Sequence, residues 1–185
     1  MAPAPCTVRH AYRSDIPFIL EMIRELADYE HELDAVEATE ESLGATVAFA
    51  PDNVESTTTN PNTEAITPTR PSRCLVLFNE EDKPAGIALY FYNYSTWRAK
   101  SGIYLEDLYV RPSERKKGYG KKLLIELAKE VVTMGGGRLD WSVLKWNEPS
   151  INFYESEAIG AKPQNEWLGM RVERDALVKL ASRTD

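Results

Sequence analysis

The run Ile103-Tyr104-Leu105-Glu106-Asp107-Leu108-Tyr109-Val110 leads, after Pro112, into Arg115-Lys116-Lys117-Gly118-Tyr119-Gly120 and a helical pattern from Lys121. No other feature constrains the chain as much. A β-rich run, a basic glycine-bearing turn and an amphipathic segment, in that order, predict a strand feeding a helix N-terminus. The first amides of a helix have no intrahelical acceptor, and the helix dipole favours an anion beside them. Glycine lets the backbone approach that anion and take φ values other residues avoid. The turn from Arg115 to Lys121 therefore reads as a phosphate cradle. Gly118-Tyr119-Gly120-Lys121 lacks the spacing and the magnesium-binding hydroxyl of a Walker loop. Leu123 stands where a dinucleotide fingerprint needs a small residue. What remains is a pyrophosphate held by successive backbone amides without a metal.

The rest of the chain supplies a frame for that turn. Cys6 to Tyr12 reads as a first strand, and Ser14 or Asp15 caps a helix carrying Ile16, Ile19, Leu20, Ile23, Leu26 and Ala27 at helical spacing. A shorter helix from Thr39 carries Leu43, Val47 and Phe49. Arg73–Phe78 and Ala85–Tyr94 form a hairpin around Glu80-Glu81-Asp82-Lys83. The helix from Lys121 to Met134 ends at Gly135-Gly136-Gly137. Leu139 to Leu144 is a further strand, Asn147 to Glu157 a short helix with Pro149 in its first turn, Trp167 to Val172 a last strand, and Asp175 to Leu180 a helical turn. The order βααβββαβαβ predicts an α/β domain with a mixed central sheet and helices on both faces.

The 185 residues suit one domain, 1–185. The segment 51–72, rich in Thr, Pro and Asn, is expected to be a disordered loop insertion. No apolar run approaches a membrane span, and a net charge of −7 argues against nonspecific nucleic-acid binding. Cys6 and Cys74 show neither pairing nor metal spacing, so they read as free thiols of a reducing, cytoplasmic compartment.

A second motif, Trp146-Asn147-Glu148-Pro149-Ser150-Ile151-Asn152-Phe153-Tyr154, follows the next strand. With the glycine turn, Tyr104–Val110 and Glu25-Leu26-Ala27-Asp28-Tyr29-Glu30, it resembles the GNAT superfamily of acetyl-CoA-dependent N-acetyltransferases. Within that superfamily it resembles the spermidine/spermine (diamine) acetyltransferase family. The resemblance covers nearly the whole chain except 51–72. It implies that the backbone of Glu106 to Val110, with Leu108, Tyr109 and Val110 foremost, pairs with the pantetheine of acetyl-CoA. It implies that Arg115, Lys116, Lys117, Gly118, Tyr119, Gly120 and Lys121 wrap the pyrophosphate, and that Asn147, Ser150, Phe153 and Tyr154 line the thioester end. No metal is implied.

An amine of ordinary pKa near ~10.4 must lose a proton before it attacks. The resemblance makes Glu106 the base, acting through water, and Tyr154 the acid that protonates the departing thiolate. An amide near Leu108 is placed to stabilise the oxyanion. Tyr29, Glu30, Glu106, Asp107 and Trp167 match positions lining the acceptor site, where acidic groups and aromatic walls suit a small cationic amine. Ser95-Thr96 stand where polyamine-type members carry an acidic residue and a proline. In this they resemble the thialysine N-ε-acetyltransferase branch, which favours an amino-acid-like amine over spermidine. The pattern departs from the family at Glu155-Ser156-Glu157, where members carry a basic run. Homodimers are usual in the family. A protein or peptide N-acetyltransferase and a noncatalytic CoA-binding module are the competing functions; retention of both Glu106 and Tyr154 argues against the second.

Overall fold

A computed structural model describes residues 5–52 and 61–184. The chain divides into two units, Met1–Leu144 and Lys145–Asp185. The first contains β1 (Thr7–His10), α1 (Ile16–Tyr29), α2 (Glu40–Thr46), β2 (Ser72–Phe78), β3 (Pro84–Ser95), β4 (Lys100–Val110), α3 (Tyr119–Thr133) and β5 (Leu139–Trp141). These strands form one sheet in the order β1-β2-β3-β4-β5, antiparallel from β1 to β4, with β5 parallel to β4.

Local chemistry explains the corners. Between β2 and β3, Asn79 folds the chain back: its Oδ1 accepts from the amides of Glu81 and Lys83, each at 3.0 Å. Thr39 caps α2 by accepting from the Ser42 amide at 3.1 Å. Side chains alternate across β3, so Ile87 and Leu89 share one face while Ala88, Tyr90 and Tyr92 share the other. The first face carries the core built by Ile19, Leu20 and Met22 of α1, Leu43 of α2, and Cys74, Val76, Ile87 and Tyr109 of the sheet. The second face receives α3, whose Leu123, Leu124, Leu127 and Val131 are buried. Gly86 permits the close approach there: a Cβ would lie 2.8 Å from the Tyr109 carbonyl and 3.5 Å from a Leu123 methyl.

A polar chain crosses this second layer. The Tyr90 hydroxyl donates to Glu130 at 2.7 Å and lies 3.0 Å from His10 Nε2. Glu130 also accepts from Tyr92 and sits 3.5 Å from the Arg73 guanidinium. His10, Tyr90 and Glu130 are all buried, and each finds partners there, as burial of polar groups demands. Burial pushes the Glu130 carboxyl up, and the tyrosines and Arg73 oppose the shift.

Several expectations change. The helix after the glycine turn starts at Tyr119, two residues earlier than expected, because the first turn already closes through Lys122 N–H to the Gly118 carbonyl at 3.0 Å. The strand expected over Leu139–Leu144 ends at Trp141. Residues 53–60 of the expected loop insertion lie outside the described residues. The described part of that segment is anchored: Glu64 pairs with Arg13 at 2.6 Å, its amide donates to the Phe49 carbonyl at 2.8 Å, and Thr63 accepts from Arg73 at 2.8 Å.

The second unit holds α4 (Glu148–Glu155) and α5 (Arg174–Ala181). Asn147 caps α4, its side chain accepting from the Ser150 amide at 3.3 Å, and Pro149 occupies the first turn. The last strand expected at Trp167–Val172 is not formed. Residues 162–184 are exposed throughout, and among the described residues no strand pairs with this run. A strand without a ladder partner has no sink for its amides and carbonyls. The observed order is therefore βααβββαβαα.

Candidate active site

β4 is the axis of the site. Its ladder with β5 consists of Ile103–Leu139, Tyr104–Asp140 and Leu105–Trp141, and there it stops. β4 itself runs on from Glu106 to Val110. Along that stretch the edge of β4 facing away from β3 is not occupied by β5. An extended ligand with amide groups can add to such an edge as a strand would.

The irregularity in the β3–β4 ladder falls at the same point. Leu89 pairs with Asp107 but Tyr90 pairs with Leu105, so Glu106 is the extra residue of a β-bulge. The bulge lets Asp107 and Tyr109 share the α1 face, with Glu106 exposed at the bend. Glu30, which ends α1, lies close enough for its charge to be felt by Asp107. Burial first, then the negative charges of Glu106 and Glu30, push the Asp107 carboxyl up to about 6. Burial also raises Glu30. A cation beside these carboxyl groups would offset the negative charges that Glu106 and Glu30 direct at Asp107.

β4 then leads into the basic turn. Lys116 and Gly118 both take positive φ, 66° and 84°. Among the described residues, the amides of Lys116, Lys117 and Gly118 donate to no backbone carbonyl. With the first amides of α3, they make a concave donor surface of the kind that holds phosphate oxygens. Nothing lies within 4 Å of the position a Gly118 Cβ would take, so the cradle is open on that side. The donor set therefore fits a pyrophosphate. Tyr119 plays a different part: it is buried, and its hydroxyl donates to Glu80 at 2.6 Å. Lys117 is paired with Glu114 at 2.9 Å.

On the α1 side of β4 lies an open cleft of about 530 Å³, lined by Glu25, Asp28, Tyr29, Tyr109, Arg111 and Arg115 among others. Arg111 is held by Glu21 and by Glu25, the latter at 3.1 Å. Burial and Glu25 push the Tyr109 hydroxyl up to about 12. The Arg115 guanidinium lies 5.2 Å from the Tyr29 ring centroid and 5.8 Å from that of Tyr109. Its Nε donates to the Val110 carbonyl at 3.0 Å.

The structure thus gathers Tyr29, Tyr109 and Arg115 around one cleft and sets Glu30, Glu106 and Asp107 close to one another on the same strand's approach. It does not bring Ser95 and Thr96 to that group within one chain. Ser95 pairs with Lys100 at the far end of the hairpin, roughly 20 Å along the strand from the Leu89–Asp107 pair. In the second unit, Asn147 is buried as the cap of α4, the rings of Phe153 and Tyr154 on its last turn lie 5.3 Å apart and tilted to each other, and Trp167 is exposed. Glu21, Glu25, Asp28 and Arg111 were not expected at the site. Arg111 meets Glu21 across 90 residues of chain, and such a pairing leaves no local sequence signal.

Among the described residues no group of three or more His, Cys, Asp or Glu side chains is arranged to hold a metal, and no helix is long and apolar enough to cross a membrane.

Comparison with known proteins gives the chain's relatives. Residues 28–159 match the model of the acetyltransferase (GNAT) family. The L-ornithine N5-acetyltransferase of Arabidopsis thaliana is 32% identical, over 92% of this chain and 85% of the relative. The thialysine N-epsilon-acetyltransferase of Bos taurus is 32% identical, over 95% of this chain and 97% of the relative. A solved integron cassette protein from V. cholerae superposes with a TM-score of 0.71 at 23% identity, covering 96% of this chain and 98% of the other. An aminoglycoside acetyltransferase from a soil metagenome superposes with a TM-score of 0.65 at 17% identity, covering 91% and 97%. At those identities the two structures speak for the fold alone.

Proposed function

The chain belongs to the GNAT family of acetyltransferases, and from that premise we propose that it acetylates the side-chain amine of a small amino-acid-like substrate, such as thialysine or ornithine, using acetyl-CoA. One observation carries the reading: β4 places Glu106 and Asp107 where its pairing with β5 ends and then runs directly into the open amides at Lys116–Gly118.

Bound acetyl-CoA supplies an acetyl group activated as a thioester. The chain's residues do the rest. The amides of Lys116, Lys117 and Gly118 and the start of α3 hold the pyrophosphate, with Lys121 adding positive charge. The free edge of β4, through Leu108, Tyr109 and Val110, lines up the pantetheine. Glu30, Glu106 and Asp107 draw in the ammonium and hold it beside β4. An ammonium has no lone pair, so Glu106 takes its proton through a water before attack. Tyr154, from α4, gives a proton to the departing sulfur. The substrates for which the relatives are named, ornithine and thialysine, support an amino-acid acceptor; the match of 31% to the human spermidine/spermine N(1)-acetyltransferase-like protein 1, of which this chain spans 23%, keeps a polyamine as the second choice.

Cys6 and Cys74, both free, support a cytoplasmic setting. Tyr94 and Trp97 are exposed at the far end of the β3–β4 hairpin, 61% and 91%, a surface that self-association into a homodimer would cover. The test of the function is release of free thiol from acetyl-CoA with a panel of thialysine, ornithine and spermidine. The expected order has the amino acids ahead of spermidine. Absence of turnover with every amine, despite CoA binding, sinks the enzyme reading.

A further inference from the structure

The turn that opens α3 has little of its own to hold its shape. The amides of Lys116, Lys117 and Gly118 donate to no backbone carbonyl among the described residues. Lys116 also stands at φ 66°, a left-handed conformation that is costly for a residue with a Cβ. A second turn, between β2 and β3, reaches both ends of it. That second turn is closed on itself. The Asn79 amide donates to the Lys83 carbonyl at 2.9 Å, the Asp82 amide donates to the Asn79 carbonyl at 3.0 Å, and the Asn79 side-chain oxygen takes the amides of Glu81 and Lys83. Asn79 is buried, and its Nδ2 donates to one oxygen of Glu114 at 3.3 Å, ahead of the open amides. The other oxygen of Glu114 accepts from Lys117 at 2.9 Å. Behind the amides, the buried Tyr119 donates its hydroxyl to Glu80 at 2.6 Å. The three open amides thus lie between two side-chain contacts made by one closed turn.

We propose that Glu80 is a positioning residue for the cofactor: through Tyr119, and together with Asn79 acting through Glu114, it holds the glycine turn in the form that receives the pyrophosphate of acetyl-CoA. This rests on the acetyl-transfer reading given above. A loop that must be ordered when its ligand arrives loses affinity to that ordering. A turn fixed beforehand at both ends has its amides already aimed, and the loss is smaller. Tyr119 is suited to the task. It is the first residue of α3, its ring is buried, and its hydroxyl reaches a turn 39 residues away in the chain. Fixing that ring fixes the direction in which α3 starts, and with it the first helical amides. Charge acts in the opposite sense. Glu80 and Glu114 set negative charge beside a surface that receives an anion, which opposes binding. If charge were all that Glu80 contributed, its removal would tighten the hold on CoA; as a brace, its removal loosens it.

The experiment measures the Kd for CoA by titration calorimetry, with kcat and KM for acetyl-CoA and kcat/KM for S-acetylpantetheine, which carries the thioester without the pyrophosphate. The variants are Tyr119→Phe, Glu80→Ala, the two combined, and Glu80→Gln. Glu81→Ala, whose carboxylate pairs with Lys83 at 2.7 Å, is a control in the same turn. Tyr119→Phe and Glu80→Ala are expected to raise both the Kd for CoA and the KM for acetyl-CoA about 10-fold, with kcat kept and S-acetylpantetheine unaffected. The combined variant should lose no more than either single one, since each removes the same contact. Glu80→Gln, which keeps an acceptor, should recover most of the affinity, and Glu81→Ala should match wild type. An unchanged Kd in Tyr119→Phe, tighter CoA binding in Glu80→Ala, or an equal loss with S-acetylpantetheine overturns the proposal and leaves the acetyl-transfer reading standing. Wild-type protein that binds no CoA overturns that reading and this proposal with it.

Discussion

Glu106 and Asp107 are adjacent in the chain but occupy different structural positions: Asp107 pairs across the ladder with Leu89, and Glu106 is the unpaired residue of the bulge. A regular strand would send two consecutive side chains to opposite faces and keep every residue in the ladder. The bulge instead sets an exposed carboxylate at the bend, where pairing with β5 has ended, and a half-buried one on the α1 face that feels the charge of the first.

That relationship gives a pH dependence to stability. Asp107 in the folded protein holds its proton up to about 6, against an ordinary value of 3.8. The folded state therefore binds the proton more tightly than the unfolded chain. The stabilisation is full below the ordinary value and lost as pH rises through about 6. Asp107→Asn should be more stable than wild type at pH 8, by roughly 1–3 kcal/mol. It should also lose part of the slope between pH 4 and 7. Urea unfolding at pH 5 and pH 8 measures both; identical slopes in the two proteins would show that Asp107 titrates normally.

Removing the hydroxyl of Tyr154 should slow the chemical step without weakening the cofactor site. For Tyr154→Phe a fall in kcat of about 10²–10⁴ is expected. The KM for acetyl-CoA should stay close to wild type. Single-turnover kinetics separate the two quantities, and unchanged turnover would remove Tyr154 as the acid.

Gly118 and Gly135 make a matched pair. Both have positive φ, 84° and 66°, and neither has an atom within 4 Å of a prospective Cβ. Alanine at either position should therefore cost about 1–2 kcal/mol through backbone strain alone. Only Gly118 lies in the proposed phosphate cradle, so only Gly118→Ala should raise the KM for acetyl-CoA. A similar rise in Gly135→Ala would mean that the effect is loss of stability rather than loss of the cradle.

Glu130 anchors the buried chain of Tyr90, Tyr92, His10 and Arg73. Glu130→Ala leaves the Arg73 charge poorly compensated and two tyrosine hydroxyls short of an acceptor. The expected loss is about 3–5 kcal/mol. Glu130→Gln, which keeps an acceptor, should lose less. Chemical denaturation compares them, and a loss in Glu130→Ala no larger than in an exposed substitution such as Glu148→Ala would show that the chain contributes little.

The sequence marked the frame well where local chemistry decides. The apolar spacing of Ile19, Leu20 and Ile23, the turn at Glu80–Lys83 and the glycines after Met134 each placed an element within a few residues. It misplaced Trp167–Val172, because alternation describes how a strand would be buried but does not provide the partner that makes it one. The bulge at Glu106 was equally invisible: no residue there is a glycine or proline, and the register shift shows only when β3 is laid beside β4.

What the sequence determined by itself was the order of elements up to β5 and the basic turn at a helix N-terminus, because these depend on propensity, capping and turn chemistry within short windows. Tertiary structure alone decided which carboxylates share an environment and where the edge of β4 becomes free. Those outcomes depend on pairing register and on burial, both of which are set by segments far apart in the chain.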